Sequence, residues 1–164
     1  LGGSEYFEYI HKFIGGKCPA VNFDVSKKNM KSVLDIIDKN LIKSAHDCSK
    51  GGLAVAVSEI CMTNQIGCKV SLDAVPSEKL DVDRILFSES HSRYLVSFDK
   101  KNLPELESIL KQNNVSFNQI GQFGSEKIQF NKGSESFIDL DVKQAHETWL
   151  HSLPNLVLHS KKTV

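Results

Sequence analysis

One stretch limits the possible folds of this chain more than any other. Leu41 to Asp47 is short and apolar enough for a β-strand. Cys48-Ser49-Lys50-Gly51-Gly52 then breaks it, and Leu53 to Met62 resumes as an apolar helix. A strand that hands over to a helix through a double glycine calls for interleaved strands and helices, and so for an α+β class. Leu53, Val57, Ile60 and Cys61 fall on one face of that helix. Ala54 and Ala56 are small enough to let it approach a sheet closely.

The flanking segments fit the same scheme. Ser4 can cap a first helix carrying Tyr6, Phe7, Ile10, Phe13 and Ile14, closed by Gly15-Gly16. Lys17 to Lys28 reads as a loop. Asn29 opens a second helix, with Met30, Val33, Leu34 and Ile37 as its apolar stripe. Strands are expected at Cys68–Leu72, Ser92–Phe98, Val115–Phe123, Lys127–Phe130 and Phe137–Val142. Between them Asn102 caps a helix that has Pro104 just inside it and an inner face of Leu103, Leu106 and Leu110. A closing helix from Lys143 to Leu150 is expected to bury Ala145 and Trp149. The expected architecture is a single mixed, largely antiparallel sheet backed by helices. It forms one domain over residues 1–153, and residues 154–164 form a flexible tail.

Composition narrows the function classes. The chain has 164 residues, 40% of them apolar, enough for a sizeable core. Lys plus Arg balances Asp plus Glu, 20 against 20, so no net field draws it to nucleic acid or an anionic membrane. Cys18, Cys48, Cys61 and Cys68 form no C-x-x-C pair and mostly lie in apolar stretches. They read as reduced thiols of a cytosolic protein. No apolar run is long enough to span a bilayer. Leu1-Gly2-Gly3-Ser4 reads as the interior of a longer protein.

Three segments can carry chemistry. In His46-Asp47-Cys48-Ser49-Lys50-Gly51-Gly52, Asp47 ends a strand where a carboxylate can meet Mg²⁺ or a ligand hydroxyl. Ser49, Gly51 and Gly52 lead into a helix start suited to phosphate. Helix capping and close packing explain the same residues nearly as well, and the Walker A spacing is absent. In Ser88-Glu89-Ser90-His91-Ser92-Arg93, Glu89 can orient a ligand, and Arg93 can pair with phosphate or lock Glu89. A turn of solvated serines with a surface ion pair is the simpler account. Gly2 and Gly3 precede a helix and form a third anion-tolerant start. The six histidines are scattered, and no nucleophile elbow or Cys-His arrangement is present, so a self-contained hydrolase is hard to build.

Taken together, L-G-G-S-E-Y at residues 1–6, H-D-C-S-K-G-G-L-A-V-A at 46–56 and L-F-S-E-S-H-S-R-Y-L at 86–95 resemble phosphoribosylformylglycinamidine synthase. The similarity is to the last domain of its PurL-type synthetase subunit, within the wider aminoimidazole ribonucleotide synthetase-like superfamily. It covers Leu1 to about Trp149. The resemblance implies a partly ferredoxin-like C-terminal domain of an ATP-dependent carbon-nitrogen ligase of purine biosynthesis. That enzyme makes formylglycinamidine ribonucleotide from formylglycinamide ribonucleotide, ATP and ammonia supplied by a glutaminase subunit or domain.

The resemblance further implies Mg²⁺ and ATP or ADP as ligands of the parent enzyme, with Asp47 toward Mg²⁺. Asp47, Glu89 and Arg93 would line an auxiliary phosphate crevice of the enzyme's second half. The catalytic residues would lie in ATP-binding-type domains of the same protein outside this chain. The chain alone is then expected to be inactive and to self-associate through an uncovered apolar patch. Two other readings are a terminal domain of a related superfamily enzyme (aminoimidazole ribonucleotide synthetase, selenophosphate synthetase or a hydrogenase maturation factor) and a non-catalytic interaction module.

Overall fold

The computed structural model describes residues Leu1 to His159. The elements run α1 Glu5–Tyr9, α2 Phe23–Asp38, β1 Ser44–Asp47, α3 Gly52–Asn64, β2 Gly67–Ser71, α4 Val82–Phe87, β3 Tyr94–Ser97, α5 Leu103–Gln112, β4 Gly121–Ser125, β5 Lys127–Lys132, β6 Glu135–Asp141 and α6 Val142–His159. The α+β class and the largely antiparallel pairing hold. The single sheet does not: among the described residues the strands divide into a two-stranded and a four-stranded sheet.

The chain divides into two compact units. The first contains Leu1–Val57 and Val75–Gln119; the second contains Ser58–Ala74 and the chain from Ile120 onward. The split falls inside α3, which has no Pro, Gly-rich or charged break to mark it. No composition shift announces such a boundary.

In the first unit β1 and β3 pair antiparallel, with Ala45 opposite Val96 and Asp47 opposite Tyr94. Ile36 of α2 packs with Leu41, Leu106 and Ile109, and Ile42, Val96 and Phe98 close around them. Each such aliphatic side chain contributes about 1.5–3 kcal/mol when fully buried.

Helix α2 begins earlier than its spacing suggests. The Asn22 side chain accepts the Asp24 and Val25 N–H groups at 3.1 Å each and caps it there, and Asn29 lies inside. The buried residues are Ser32 and Ile36. Met30, Leu34 and Ile37 of the expected stripe are instead exposed. Helix α1 stops at Tyr9, well short of Gly15, because Lys12 turns to φ 53 and the Phe13 N–H folds back onto the Phe7 carbonyl. Asn102 holds the N-cap position of α5 as expected, but its side chain makes no capping bond; its amide donates to the Leu41 carbonyl at 2.8 Å.

In the second unit the strand order is β4-β2-β5-β6, and only β2 and β5 run parallel. Parallel neighbours need a long crossover. Here the crossover contains residues 75–119, which belong to the first unit. Cys68 stands opposite Ile128, and Val70 opposite Phe130. All four are buried, so one face of the central strands is apolar. Helix α6 runs on through Pro154 to His159, beyond the expected end at Leu150, and Trp149 is 53% exposed rather than buried. Residues 154–159 of the expected tail are therefore helical; the remainder lies outside the described residues. Cys48, Cys61 and Cys68 are buried and Cys18 is exposed, all as free thiols. No described helix is long and apolar enough to cross a membrane.

Candidate functional site

The first unit brings the three sequence segments together at a single carboxylate. Glu89 Oε1 accepts the Gly51 N–H at 2.9 Å and the Glu5 N–H at 3.0 Å. One oxygen therefore ties the loop before β3 to the turn before α3 and to the first residue of α1. Charge-assisted bonds of this kind are stronger than neutral ones, and each satisfies a backbone donor at a helix start.

The turn is built for close approach. Gly51 and Gly52 are both buried, at φ +71 and +64. The Gly52 N–H donates to the Ser49 carbonyl at 3.1 Å. A Cβ on Gly52 would lie 2.5 Å from the Ser88 carbonyl oxygen and 2.8 Å from that of Leu86, so only glycine fits against the loop.

Arg93 fixes that loop from within. Its guanidinium donates to the Ser88 carbonyl, and its Nε to the Ser90 carbonyl at 3.3 Å. The Ser88 and Ser90 hydroxyls share a hydrogen bond of 2.7 Å. The Arg93 carbonyl in turn accepts the Cys48 N–H at 2.9 Å. Burial pushes the Cys48 thiol up, partly offset by the Arg93 charge.

Asp47 and Ser49 are exposed. Asp47 sits at the end of β1, opposite Tyr94 and next in sequence to Cys48, whose N–H donates to the Arg93 carbonyl. Gly2 and Gly3 precede α1 and serve backbone packing. A Cβ on Gly2 would fall 2.2 Å from the Lys17 carbonyl oxygen, and the Gly3 N–H donates to the Gly15 carbonyl at 2.8 Å. Among the described residues no three His, Cys, Asp or Glu side chains gather as a metal cage. A shallow surface hollow on α2 is lined by Asp24, Lys27, Lys28 and Lys31, none of them an expected site residue.

Five residues that sequence reasoning did not select as site residues complete the arrangement. Lys50 Nζ meets Glu5 Oε1 at 2.6 Å, and this hydrogen bond holds the ammonium above its usual range. Tyr6 stacks on Phe87 at 4.6 Å between ring centres, and its hydroxyl donates to Asp83 at 2.9 Å. That bond, with burial, raises the phenol above its ordinary value. Opposite charge on two glycine-flanked segments was the available signal for Glu5 and Lys50. Nothing in the spacing marks Phe87 or Asp83.

The family model for "AIR synthase related protein, C-terminal domain" matches residues 1–130. The phosphoribosylformylglycinamidine synthase subunit PurL of Thermococcus sibiricus is 35% identical over 158 residues, 96% of this chain and 21% of that protein. The PurL subunit of Alkaliphilus metalliredigens is 34% identical over 157 residues, with the same shares. This chain therefore spans about a fifth of the length of these curated relatives. Among solved structures, phosphoribosylformylglycinamidine synthase II from Thermotoga maritima superposes with a TM-score of 0.72 at 19% identity, over 78% of this chain and 22% of that one. T. maritima PurL complexed with ADP also gives 0.72, at 17% identity, over 88% and 23%. These likenesses establish the fold.

Proposed function

From the premise that this chain belongs to the AIR synthase related protein C-terminal domain family, we propose that it serves as that domain in a phosphoribosylformylglycinamidine synthase. The observation that carries the reading is the convergence of the three family-like segments on Glu89, together with the PurL relatives that match 96% of the chain. The parent would be a cytosolic ATP-dependent ligase. It would draw its amide nitrogen from a glutaminase partner, and a T. maritima relative is described as PurLQS.

In the parent reaction ATP transfers its γ-phosphoryl group to the amide oxygen of formylglycinamide ribonucleotide, releasing ADP. Ammonia then adds to the activated carbon, and phosphate leaves as the C–N bond forms. This chain would supply one wall of an auxiliary phosphate crevice in the second half of the enzyme, and the opposite wall would come from the rest of the parent. Asp47 would hold Mg²⁺ through its carboxylate, and the ion would supply charge neutralisation for a phosphate. Mg²⁺ commonly takes one or two carboxylates plus phosphate, so a single Asp suits it. Ser49 has a hydroxyl to offer, while Gly51, Gly52, Ser88, Glu89, Ser90 and Arg93 shape the turn and loop. Gly2 and Gly3 would seat the start of α1.

The chain alone would make no product, because the reacting centre would lie in the other domains. It would also self-associate. In the first unit Phe23, Met30 and Leu34 are uncovered, as are Leu153 and Leu156 in the second.

The test is titration of the parent enzyme with Mg²⁺ and ADP. Asp47→Asn is expected to weaken one of two binding events tenfold or more while formylglycinamidine ribonucleotide synthesis continues. Two unaltered binding events would overturn the auxiliary-site reading. Product formation by the 164-residue chain alone would overturn its assignment as an incomplete part.

A further inference from the structure

A ring of bonds joins the glycine turn to α1 by two routes. On one side Lys50 Nζ contacts Glu5 Oε1 at 2.6 Å. On the other, the backbone N–H groups of Glu5 and Gly51 both end on Glu89 Oε1, at 3.0 and 2.9 Å. Lys50 and Gly51 are consecutive, so the turn and the first residue of α1 are linked through a side chain of each sign. The loop bearing Glu89 is itself held by Arg93 through the Ser88 and Ser90 carbonyls.

The Gly51 N–H is thus already engaged by an anion belonging to the chain, and the Gly52 N–H is used by Ser49. Neither donor is open to a phosphate while the ring is closed. We propose that Glu89 is a positioning residue: its carboxylate stands in for the anion on the glycine turn and couples the turn to the start of α1. A phosphate at this site would then be held by other groups of the wall. This deepens the phosphate-crevice reading and rests on it only for the identity of the ligand.

Amide hydrogen exchange on the ¹⁵N-labelled chain tests the coupling directly. In Glu89→Ala the Glu5 and Gly51 amides should both lose protection at least tenfold, together. In Glu89→Gln, which keeps an acceptor oxygen, both should stay within about threefold of the native chain. The Gly133 amide, bonded to Asp73 in the second unit, is the internal control and should not change in either variant. Loss at only one of the two amides, or at neither, would overturn the proposal. If Glu89→Ala unfolds the chain, seen as lost protection at Gly133, the Gln variant decides. Upfield movement of both the Glu5 and Gly51 amide protons supports the shared acceptor, and movement of one or none refutes it.

Titration of the parent with Mg²⁺ and ADP separates the two readings. Weaker binding in Glu89→Ala, rescued in Glu89→Gln, supports positioning. Binding tightened tenfold in Glu89→Ala would make Glu89 an occluding group and overturn it. A parent that shows no second ADP site, with the exchange result intact, would sink the crevice and leave the positioning role standing.

Discussion

Two glycine turns in this chain use the same device and end in different situations. In the first unit the Gly51 N–H is taken by Glu89, 38 residues away; in the second the Gly133 N–H is taken by Asp73, 60 residues away, at 2.7 Å. The second turn closes the β5–β6 hairpin. Lys132 pairs with Glu135 across two loop residues, and Gly133 has φ +56, as a tight two-residue hairpin requires. A carboxylate on a glycine N–H is therefore not by itself a sign of a ligand site, because here it also finishes an ordinary hairpin. What distinguishes the first turn is enclosure. Its carboxylate carries a second backbone donor, and the space beside Gly52 is filled by the Ser88 and Leu86 carbonyls, whereas nothing lies within 4 Å of a Cβ placed on Gly133.

Alanine at Gly52 should produce the largest difference between the turns. Its Cβ would sit 2.5 Å from one carbonyl oxygen and 2.8 Å from another, both backbone, at φ +64. We expect a loss of about 3 kcal/mol or more, measured as the shift in a urea unfolding curve followed by circular dichroism. A loss under about 1 kcal/mol would mean that the enclosure is not rigid and would erase the contrast.

Removing the Glu89 carboxylate comes next. Glu89→Ala leaves two part-buried N–H groups without their acceptor, which costs about 2–3 kcal/mol. Glu89→Gln should recover most of that, leaving a loss of about 0.5 kcal/mol. Equal losses in the two variants would show that charge, rather than the shared acceptor oxygen, holds the segments. Gly133→Ala faces only the backbone strain of a positive φ and no clash, about 1 kcal/mol in the same unfolding measurement.

The contrast also marks what the residues alone could reveal. The strand–turn–helix handover at Asp47 to Ala54 was legible because the glycines interrupt two apolar runs of different period. Ser88 to Arg93 was legible only through likeness to a family, since its polar residues read equally well as a solvated turn. The sequence could not show that Glu89 and Arg93 turn their polar groups onto the backbone, because the Glu5 N–H and the Ser88 carbonyl they bind carry no residue-type signal. The stripe of α2 was visible as periodicity, but its orientation was not. Ser32 and Ile36 face inward while Met30 and Leu34 stay uncovered, and a period does not state which side meets the core. The division into two units was hidden for a similar reason, because its boundary lies inside the uninterrupted helix α3.

The smallest effect gives the finest test of whether enclosure separates the turns. Asp73 gives Gly133 the same kind of acceptor that Glu89 gives Gly51, but the bond is exposed to water and carries a single donor. When Asp73→Ala removes it, solvent can take over the Gly133 N–H, so the cost should fall to about 0.5 kcal/mol, near the low end for a hydrogen bond. Protection of the Gly133 amide should drop while the Phe130 amide, whose strand pairs on both sides, keeps its own. A loss as large as that of Glu89→Ala would mean that solvent does not replace the carboxylate. The hairpin turn would then be as dependent on its anion as the turn before α3, and the special standing of Glu89 would reduce to its second donor, Glu5.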